Sequence, residues 1–514
     1  MKFYVIERGS QFPLVGEYPY VVLERDRWDD FGFKTMFDAQ LFSSPQNSQD
    51  LGAVKILKRG QEEGPTEVPD HFTDLGDDFC SLGQAYSYYE LIHDHLPQYV
   101  DGILGGLRDV AWNQSIHLSF QEEPGFRTSL LRSGIAQLAL DGAISLLDDS
   151  KSVQRNDALK FNFETSVGGE KFSIGFQFED RQPLPGRMNV VIGYNGTGKT
   201  QLLANLANVA HADLRKRRRA SFVEQFGKFP EFPLAPRFSS VIAISYSAFD
   251  TFDLPGENAD EESRLAASGE VFGYVYCGLR KYERNRGEKA VSPRNLKSAD
   301  EIQAELSSAM VLASSDNRSQ RFVEALAPLL REPSFTRVSL SGNSTLEDLR
   351  YRMSAGLSTG HKMVLNIVVQ LAAHLEPGSL VLIDEPETHL HPPLLAALLK
   401  SINKLLSSYS SYAVIATHSP VVLQEIPRRY VKVLNRFGNF TQVSSPEIET
   451  FGESVGALTR HAFSLDSSST DYHDVLRELS ERHSLGQVME IFDGAMSAQA
   501  LSYLISLFQG RGSN

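Results

Sequence analysis

The stretch Gly193-Tyr-Asn-Gly-Thr-Gly-Lys-Thr200 decides the fold. It fits G-x-x-x-x-G-K-[ST], and its setting matters as much as its letters. The apolar run Met188 to Ile192 precedes it, and Leu202, Leu203, Leu206 and Val209 follow at near-helical spacing. Strand, glycine loop and helix in that order build a phosphate cradle. The glycines let backbone N–H groups converge on phosphate oxygens, and the helix N-terminus adds its positive end. Gly193, Asn195, Gly196 and Gly198 are expected to line an ATP site. Lys199 is expected to reach the β- and γ-phosphates, and Thr200 to hold Mg²⁺.

Working outward, Leu380-Val-Leu-Ile-Asp-Glu-Pro-Glu387 reads as a buried strand that delivers carboxylates to its C-terminal end. In open α/β sheets that end is where ligands bind. Asp384 is suited to hold Mg²⁺ and Glu385 to polarise the attacking water as general base. Leu357-Ser-Thr-Gly-His-Lys362 precedes a run, Met363 to Leu375, that is apolar on nearly every face. Such a helix should be buried, with Ser358 and the Gly360 amide at its phosphate-binding N-terminus. In Ala416-Thr-His-Ser-Pro420, His418 sits just past a strand, a candidate for a γ-phosphate contact in catalysis.

These four elements in this order resemble the ABC-type ATPases. Leu357 to Lys362 looks like their signature motif and His418 like their switch histidine. Asp384-Glu-Pro-Glu-Thr-His-Leu-His-Pro392 resembles the SMC/RecF/OLD branch rather than the transporter branch. The resemblance implies an α/β fold: an ABC-type P-loop ATPase head with mixed sheet, helical insertion, polar arm and helical C-terminal tail. It also implies a two-fold dimer or higher oligomer glued by ATP. Ser358 and Gly360 would then touch the γ-phosphate held by Lys199 of the second copy, with His389 and His391 at the interface. The family's glutamine, expected after Val241 to Ser245, is missing from Ser245-Tyr-Ser-Ala-Phe-Asp250. Ser247 or Asp250 takes its place, or sensing there is altered.

Composition narrows the task. With 41% hydrophobic residues the chain has ample material for a core. A net charge of −14 argues against coating nucleic acid by bulk charge. Two distant cysteines, Cys80 and Cys277, supply no disulfide framework or four-cysteine zinc site. No apolar run is long enough to span a membrane, and Glu7 and Arg8 interrupt any leader. A cytoplasmic protein is expected. The exception to the acidity is Arg215-Lys-Arg-Arg-Arg219, either a solvated helix end or a contact to DNA or a retron-type RNA–DNA.

The strand and helix patterns divide the chain. Residues 1–60 read as N-terminal strands of the ATPase head and 61–150 as a helical insertion. Residues 151–249 hold the P-loop core and 250–345 a polar, partly helical arm. Residues 346–445 carry signature, carboxylate strand and switch histidine, and 446–514 a helical tail suited to docking a partner. Within the insertion, the acidic stretch 61–80 reads as loop and 81–110 as helix. The segment after Pro420 has no Asp-x-Asp, so no nuclease activity is expected in this chain. Trp28 to Lys34, Ser81 to Gln84 and Phe451 to Glu453 resemble the PtuA-like ATPase subunits of bacterial anti-phage Septu and retron-linked systems. That resemblance implies a separate effector, an HNH-type nuclease, or a toxin. The alternative is a RecF/SMC-like DNA-repair ATPase binding DNA across the head dimer.

Overall fold

In the computed structural model the described residues exclude 14–15, 27–28, 31, 133, 148–157, 213, 231–235, 248–249, 253–269, 272, 284–291, 315, 339, 341–347, 350–351, 353–356, 389, 464–471 and 512–514. Trp28 and His389 therefore fall outside them. The chain forms two units, Met1–Glu453 and Ser454–Asn514.

The order of the main sheet follows from which runs are apolar throughout. Val241–Ser245, Leu380–Asp384 and Met188–Ile192 are buried at every position, as strands covered on both faces must be. The described sheet has eight strands, in the order Glu270–Val271, Tyr274–Gly278, Val241–Ser245, Leu380–Asp384, Tyr412–Thr417, Met188–Ile192, Val431–Phe437 and Phe440–Ser444. The six inner strands run parallel and an antiparallel strand closes each edge. The mixed sheet of the expected ATPase head is thus present. Its register puts Ser245 opposite Asp384, Asp384 opposite Ala416, and Thr417 opposite Ile192. All the motif-bearing strand ends therefore lie in one row.

The P-loop helix, Lys199–His211, packs against one face of this sheet with the hairpin Ala158–Ser166 and Lys171–Glu179. The hairpin alternates, sending Phe161, Phe163, Ile174, Phe176 and Phe178 inward. Phe161 lies 5.4 Å, centre to centre, from Phe176 and from Phe229, and 5.8 Å from Phe238. The signature helix, Thr359–His374, is buried along nearly its whole length, as its uniform apolarity predicts. Arg318 caps its far end, donating to the carbonyls of Leu375 at 2.8 Å and Ala372 at 3.2 Å.

Three expectations change. Residues 1–60 do not join the main sheet. With His71–Phe72 and Phe79–Gly83 their strands build a separate six-stranded sheet. That sheet shares one core with the helices Tyr86–Glu90, Gln114–Phe120 and Gly134–Leu147, so 1–60 and 61–150 fold together. Inside this core Asp30 receives Lys55 at 2.6 Å and Arg132 at 2.8 Å, a buried carboxylate neutralised by two cations. Second, the start of the stretch 81–110 is strand, because pairing with Asn47–Lys58 buries Cys80 and Leu82; helical turns begin only at Tyr86. Third, the polar arm gives a strand to the ATPase sheet. Tyr274–Gly278 pairs in parallel with Val241–Ser245 and is buried at four of its five positions. Cys80 and Cys277 are both buried and form no disulfide. No helix among the described residues is long and apolar enough to cross a membrane. The second unit is helical, with Leu476, Val488 and Leu504 at its core.

Truncating Phe161 to alanine removes an aromatic wedge from this core and should cost about 3–5 kcal/mol. Phe437→Ala, at a side chain 64% exposed, should change stability by less than about 0.5 kcal/mol. Denaturant midpoints of the two variants against the parent check the contrast.

Candidate active site

The loop after Met188–Ile192 needs glycine where the sequence has it. Gly196 and Gly198 have φ of +82° and +90°. A Cβ on Gly193 would lie 2.5 Å from the Leu434 carbonyl oxygen, and one on Gly198 would strike the Val167 side chain. The turn that cradles a phosphate is therefore enforced by packing on two sides. Lys199 is 5% exposed and its ammonium donates to the carbonyls of Gly193 at 2.9 Å and Tyr194 at 3.1 Å. Burial lowers its pKa, against the pull of Glu385, Asp384 and Glu387.

One residue on, the Thr200 hydroxyl donates to Asp384 Oδ2 at 2.8 Å. Two motifs far apart in sequence thus meet at one carboxylate. Asp384 is buried, and its Oδ1 has no hydrogen-bond partner. Its pKa is pushed up to about 7, chiefly by burial, with Glu385 and Asp250 adding to the effect and the Thr200 bond opposing it. An orphaned buried carboxylate oxygen beside a threonine hydroxyl, among further acids, fits a hard divalent cation. Mg²⁺ takes few protein ligands and completes its shell with water and phosphate oxygens, so Thr200 and Asp384 suffice. When bound, the cation would offset the charge of the nucleotide phosphates and polarise their oxygens.

Glu385 follows in a left-handed conformation, φ +49°, a strained turn for a side chain of this kind. Its backbone N–H donates to the Ala416 carbonyl at 2.9 Å, fixing the turn to the neighbouring strand. His418 is 47% exposed, with Nδ1 3.5 Å from Glu385 Oε1 and 3.2 Å from Glu387 Oε1. The structure therefore gathers Lys199, Thr200, Asp384, Glu385 and His418 at the C-terminal ends of the inner strands.

Glu387 has a part that the sequence reading did not give it. Its Oε1 accepts from the Thr417 hydroxyl at 2.7 Å and from the His418 backbone at 2.9 Å. It clamps the turn after Asp384 to the end of the next strand and so orients His418. An acid two residues beyond Asp-Glu was the available sequence signal.

Asp250 is committed elsewhere. Its carboxylate pairs with Arg280 and accepts from the Tyr276 hydroxyl at 2.7 Å and from the Phe252 amide at 3.3 Å. Of the two candidates for the missing glutamine, Asp250 is held by this buried network on the arm strand. Ser247, half-buried, lies just past the end of Val241–Ser245.

Ser358 stands apart. It is exposed at the N-cap of the signature helix, and no described hydrogen bond ties it to Lys199, Thr200 or Asp384. Gly360 is buried in the first turn. His391 caps the helix Pro392–Ser408, its ring accepting from the Leu394 amide at 3.4 Å. Among the described residues no group of three His, Cys, Asp or Glu side chains is placed to hold a metal.

The basic run divides. Arg217 is half-buried, donating to the Ala210 carbonyl at 2.8 Å and lying over the Phe229 ring. Lys216 lies 5.9 Å from the centre of the Phe222 ring. Arg218 and Arg219 are exposed, and the Arg215 side chain lies outside the described residues. Five fully solvated cations were one expectation. The structure instead uses two for packing, because the aliphatic stems of such side chains bury readily against aromatic rings.

Because Asp384 holds its proton up to about pH 7, Mg²⁺ has to displace that proton below this pH. A raised folded-state pKa also means that the metal-free protein loses stability as pH rises from the ordinary aspartate range through about 7. Stabilisation by Mg²⁺ with a nucleotide should therefore grow across the same range, and Asp384→Asn should keep only the part due to the nucleotide. Thermal unfolding with and without Mg²⁺ checks this.

Residues 188–424 match the family described as "AAA domain, putative AbiEii toxin, Type IV TA system". Over nearly its full length the chain is similar to protein ea59 of Escherichia phage lambda, 29% identical, with 99% of each chain covered. Among solved structures, the SMC head domain from Thermotoga maritima covers 57% of this chain and 99% of its own, at 14% identity and a TM-score of 0.27. An ATP-binding cassette of an ABC transporter, in its ADP conformation, covers 57% and 93% at 12% identity and a TM-score of 0.26. Likeness at that level adds nothing to what the site's own geometry says. Strand order and phosphate loop make residues 188–424 a P-loop α/β domain, in agreement with that family match.

Proposed function

We propose that this protein binds and hydrolyses ATP with Mg²⁺, that two heads close on the nucleotide, and that the closed dimer regulates a separate effector. The observation that carries the reading is the hydrogen bond from Thr200 to the buried, half-partnered carboxylate of Asp384, with Glu385 and His418 at the same strand ends. In this reading Lys199 leaves the loop carbonyls for the β- and γ-phosphates. Glu385 accepts the proton of the attacking water, and His418, oriented by Glu387, contacts the γ-phosphate. Proton transfer of that kind contributes roughly 10²–10⁴-fold to rate. Ser358 and Gly360 act on the nucleotide of the other copy, which accords with an exposed Ser358.

Lys199→Ala should lose ATP binding. Glu385→Gln should keep binding while hydrolysis falls by at least about 10²-fold. Turnover at the parent rate in Glu385→Gln, read by phosphate release, would remove the catalytic-base assignment. Ser358→Arg should retain nucleotide binding by the single chain and lose ATP-dependent dimers and hydrolysis. Hydrolysis surviving in that variant would remove the composite site.

The setting we propose is conflict between bacteria and phage. The full-length similarity to a phage protein and the toxin–antitoxin wording of the family description support it. The narrower assignment, a PtuA-like subunit beside an HNH-type nuclease, rests on the sequence patterns alone. Copurification of such a nuclease supports it. ATPase activity stimulated by free DNA with no protein partner supports the RecF/SMC-like reading instead. Arg218 and Arg219 are the exposed candidates for a phosphate contact. Reversing their charge should lower the salt dependence of any nucleic-acid binding, and an unchanged slope returns them to the solvated surface.

A further inference from the structure

The signature serine ends a chain of hydrogen bonds that runs into the protein. Ser358 Oγ lies 2.9 Å from His361 Nδ1, and His361 Nε2 lies 2.7 Å from Ser334 Oγ. The Ser334 hydroxyl in turn meets Glu332 Oε2, which also accepts from the Ser334 backbone at 2.8 Å. His361 is 7% exposed and packs edge-on against Phe335. The sequence placed no role on His361, Ser334 or Glu332.

The chain has a direction, fixed from its inner end. A carboxylate only accepts, so Ser334 donates to Glu332. Ser334 Oγ is then the acceptor for His361 Nε2–H. In the neutral ring Nδ1 carries a lone pair, and the Ser358 hydroxyl donates into it. With its one proton committed inward, Ser358 offers an outside phosphate only lone pairs, which repel. When the ring carries a second proton, Nδ1–H donates to Ser358 Oγ instead. The Ser358 proton is then free to point outward at a phosphate oxygen.

We propose that His361 is a positioning residue for the signature serine, and that engagement of a second copy's γ-phosphate by Ser358 is accompanied by uptake of one proton from solvent on His361 Nδ1. This rests on the composite dimer site proposed above. No covalent bond other than N–H forms, and the Ser358 O–H bond stays intact while it reorients. Two titratable groups act on the ring from the elements packed around it. Glu332, from the turn before the short helix Pro333–Arg337, favours the charged ring. His391, from the N-terminus of Pro392–Ser408, opposes it when charged. Burial is the largest influence and holds the ring below the usual imidazole range, so the uncharged, inward-donating arrangement is the resting one near neutral pH.

The test measures association of heads with Mg²⁺ and a non-hydrolysable ATP analogue between about pH 5 and about pH 8. The parent is compared with His361→Gln, whose amide spans the same neighbours and does not titrate. Parent association should weaken by up to about tenfold per site for each pH unit of increase. His361→Gln should lose that part of the slope and keep the parts due to the nucleotide and to Asp384. Glu332→Gln removes the anion that favours the charged ring and should move the parent profile to lower pH. A His361→Gln slope equal to the parent's overturns the proposal while leaving the composite site standing. No analogue-dependent association in the parent removes the composite site and this proposal with it. The His361 ring can also be titrated directly by NMR after selective labelling. Its midpoint should rise on adding the analogue, and an unmoved midpoint overturns the proposal whatever the variants do.

Discussion

The burial of one carboxylate organises this protein. Asp384 ends a strand whose every residue is buried, and it is taken out of water with only one of its oxygens satisfied. An isolated charge in that position is expensive. The cost is met partly by the proton that Asp384 keeps up to about pH 7 and partly by Thr200. A divalent cation would meet the rest. The strand ends around Asp384 are held in register so that Ser245, Ala416 and Ile192 arrive in the same row. The P-loop is held against that row because Gly193 and Gly198 leave no room for a side chain. A strand buried at every position thus ends in a polar group that is costly to bury.

Around that group the protein builds clamps of the same design. Glu387 reaches across to Thr417 and His418 and holds the end of the neighbouring strand to the carboxylate turn. Arg280 and Tyr276 hold Asp250 in a buried network. Glu332 and Ser334 hold His361, which holds Ser358. In the first and third cases a ring side chain close to the proposed reaction path is fixed by a partner behind it. Such second partners are needed because a loose side chain loses the geometry on which proton transfer and phosphate contact depend.

Much of the site was legible in sequence because its parts are local. The phosphate loop is a contiguous turn with a strand before it and a helix after it, and its glycines are demanded by backbone geometry. Asp384 and Glu385 follow directly on an apolar run, and Ser358 directly precedes one. What escaped was non-local. Glu387 earns its role only because Thr417 comes alongside, and the inner partners of His361 sit on a separate short helix. The N-terminal region shows the same limit. Strand patterning was visible in residues 1–60, but sheet membership depends on pairing, and those strands pair with Phe79–Gly83 rather than with the main sheet. Leu82 and Tyr86 look helically spaced. The first is nevertheless a strand residue, because a neighbouring strand edge was available to it.

By itself the sequence determined the phosphate loop, the carboxylate-bearing strand, the buried signature helix and the order in which they are strung. Each is set by a local rule: glycine where φ is positive, unbroken apolarity where both faces are covered, a capping serine where a helix begins. The tertiary structure alone decided which side chains stand behind the reacting ones. It also decided that the arm lends a strand to the main sheet, and that two cations of the basic run lie half-buried near aromatic rings. The physical reason is that a hydrogen bond or a ring contact joins residues by distance in space. Only the packed core sets that distance.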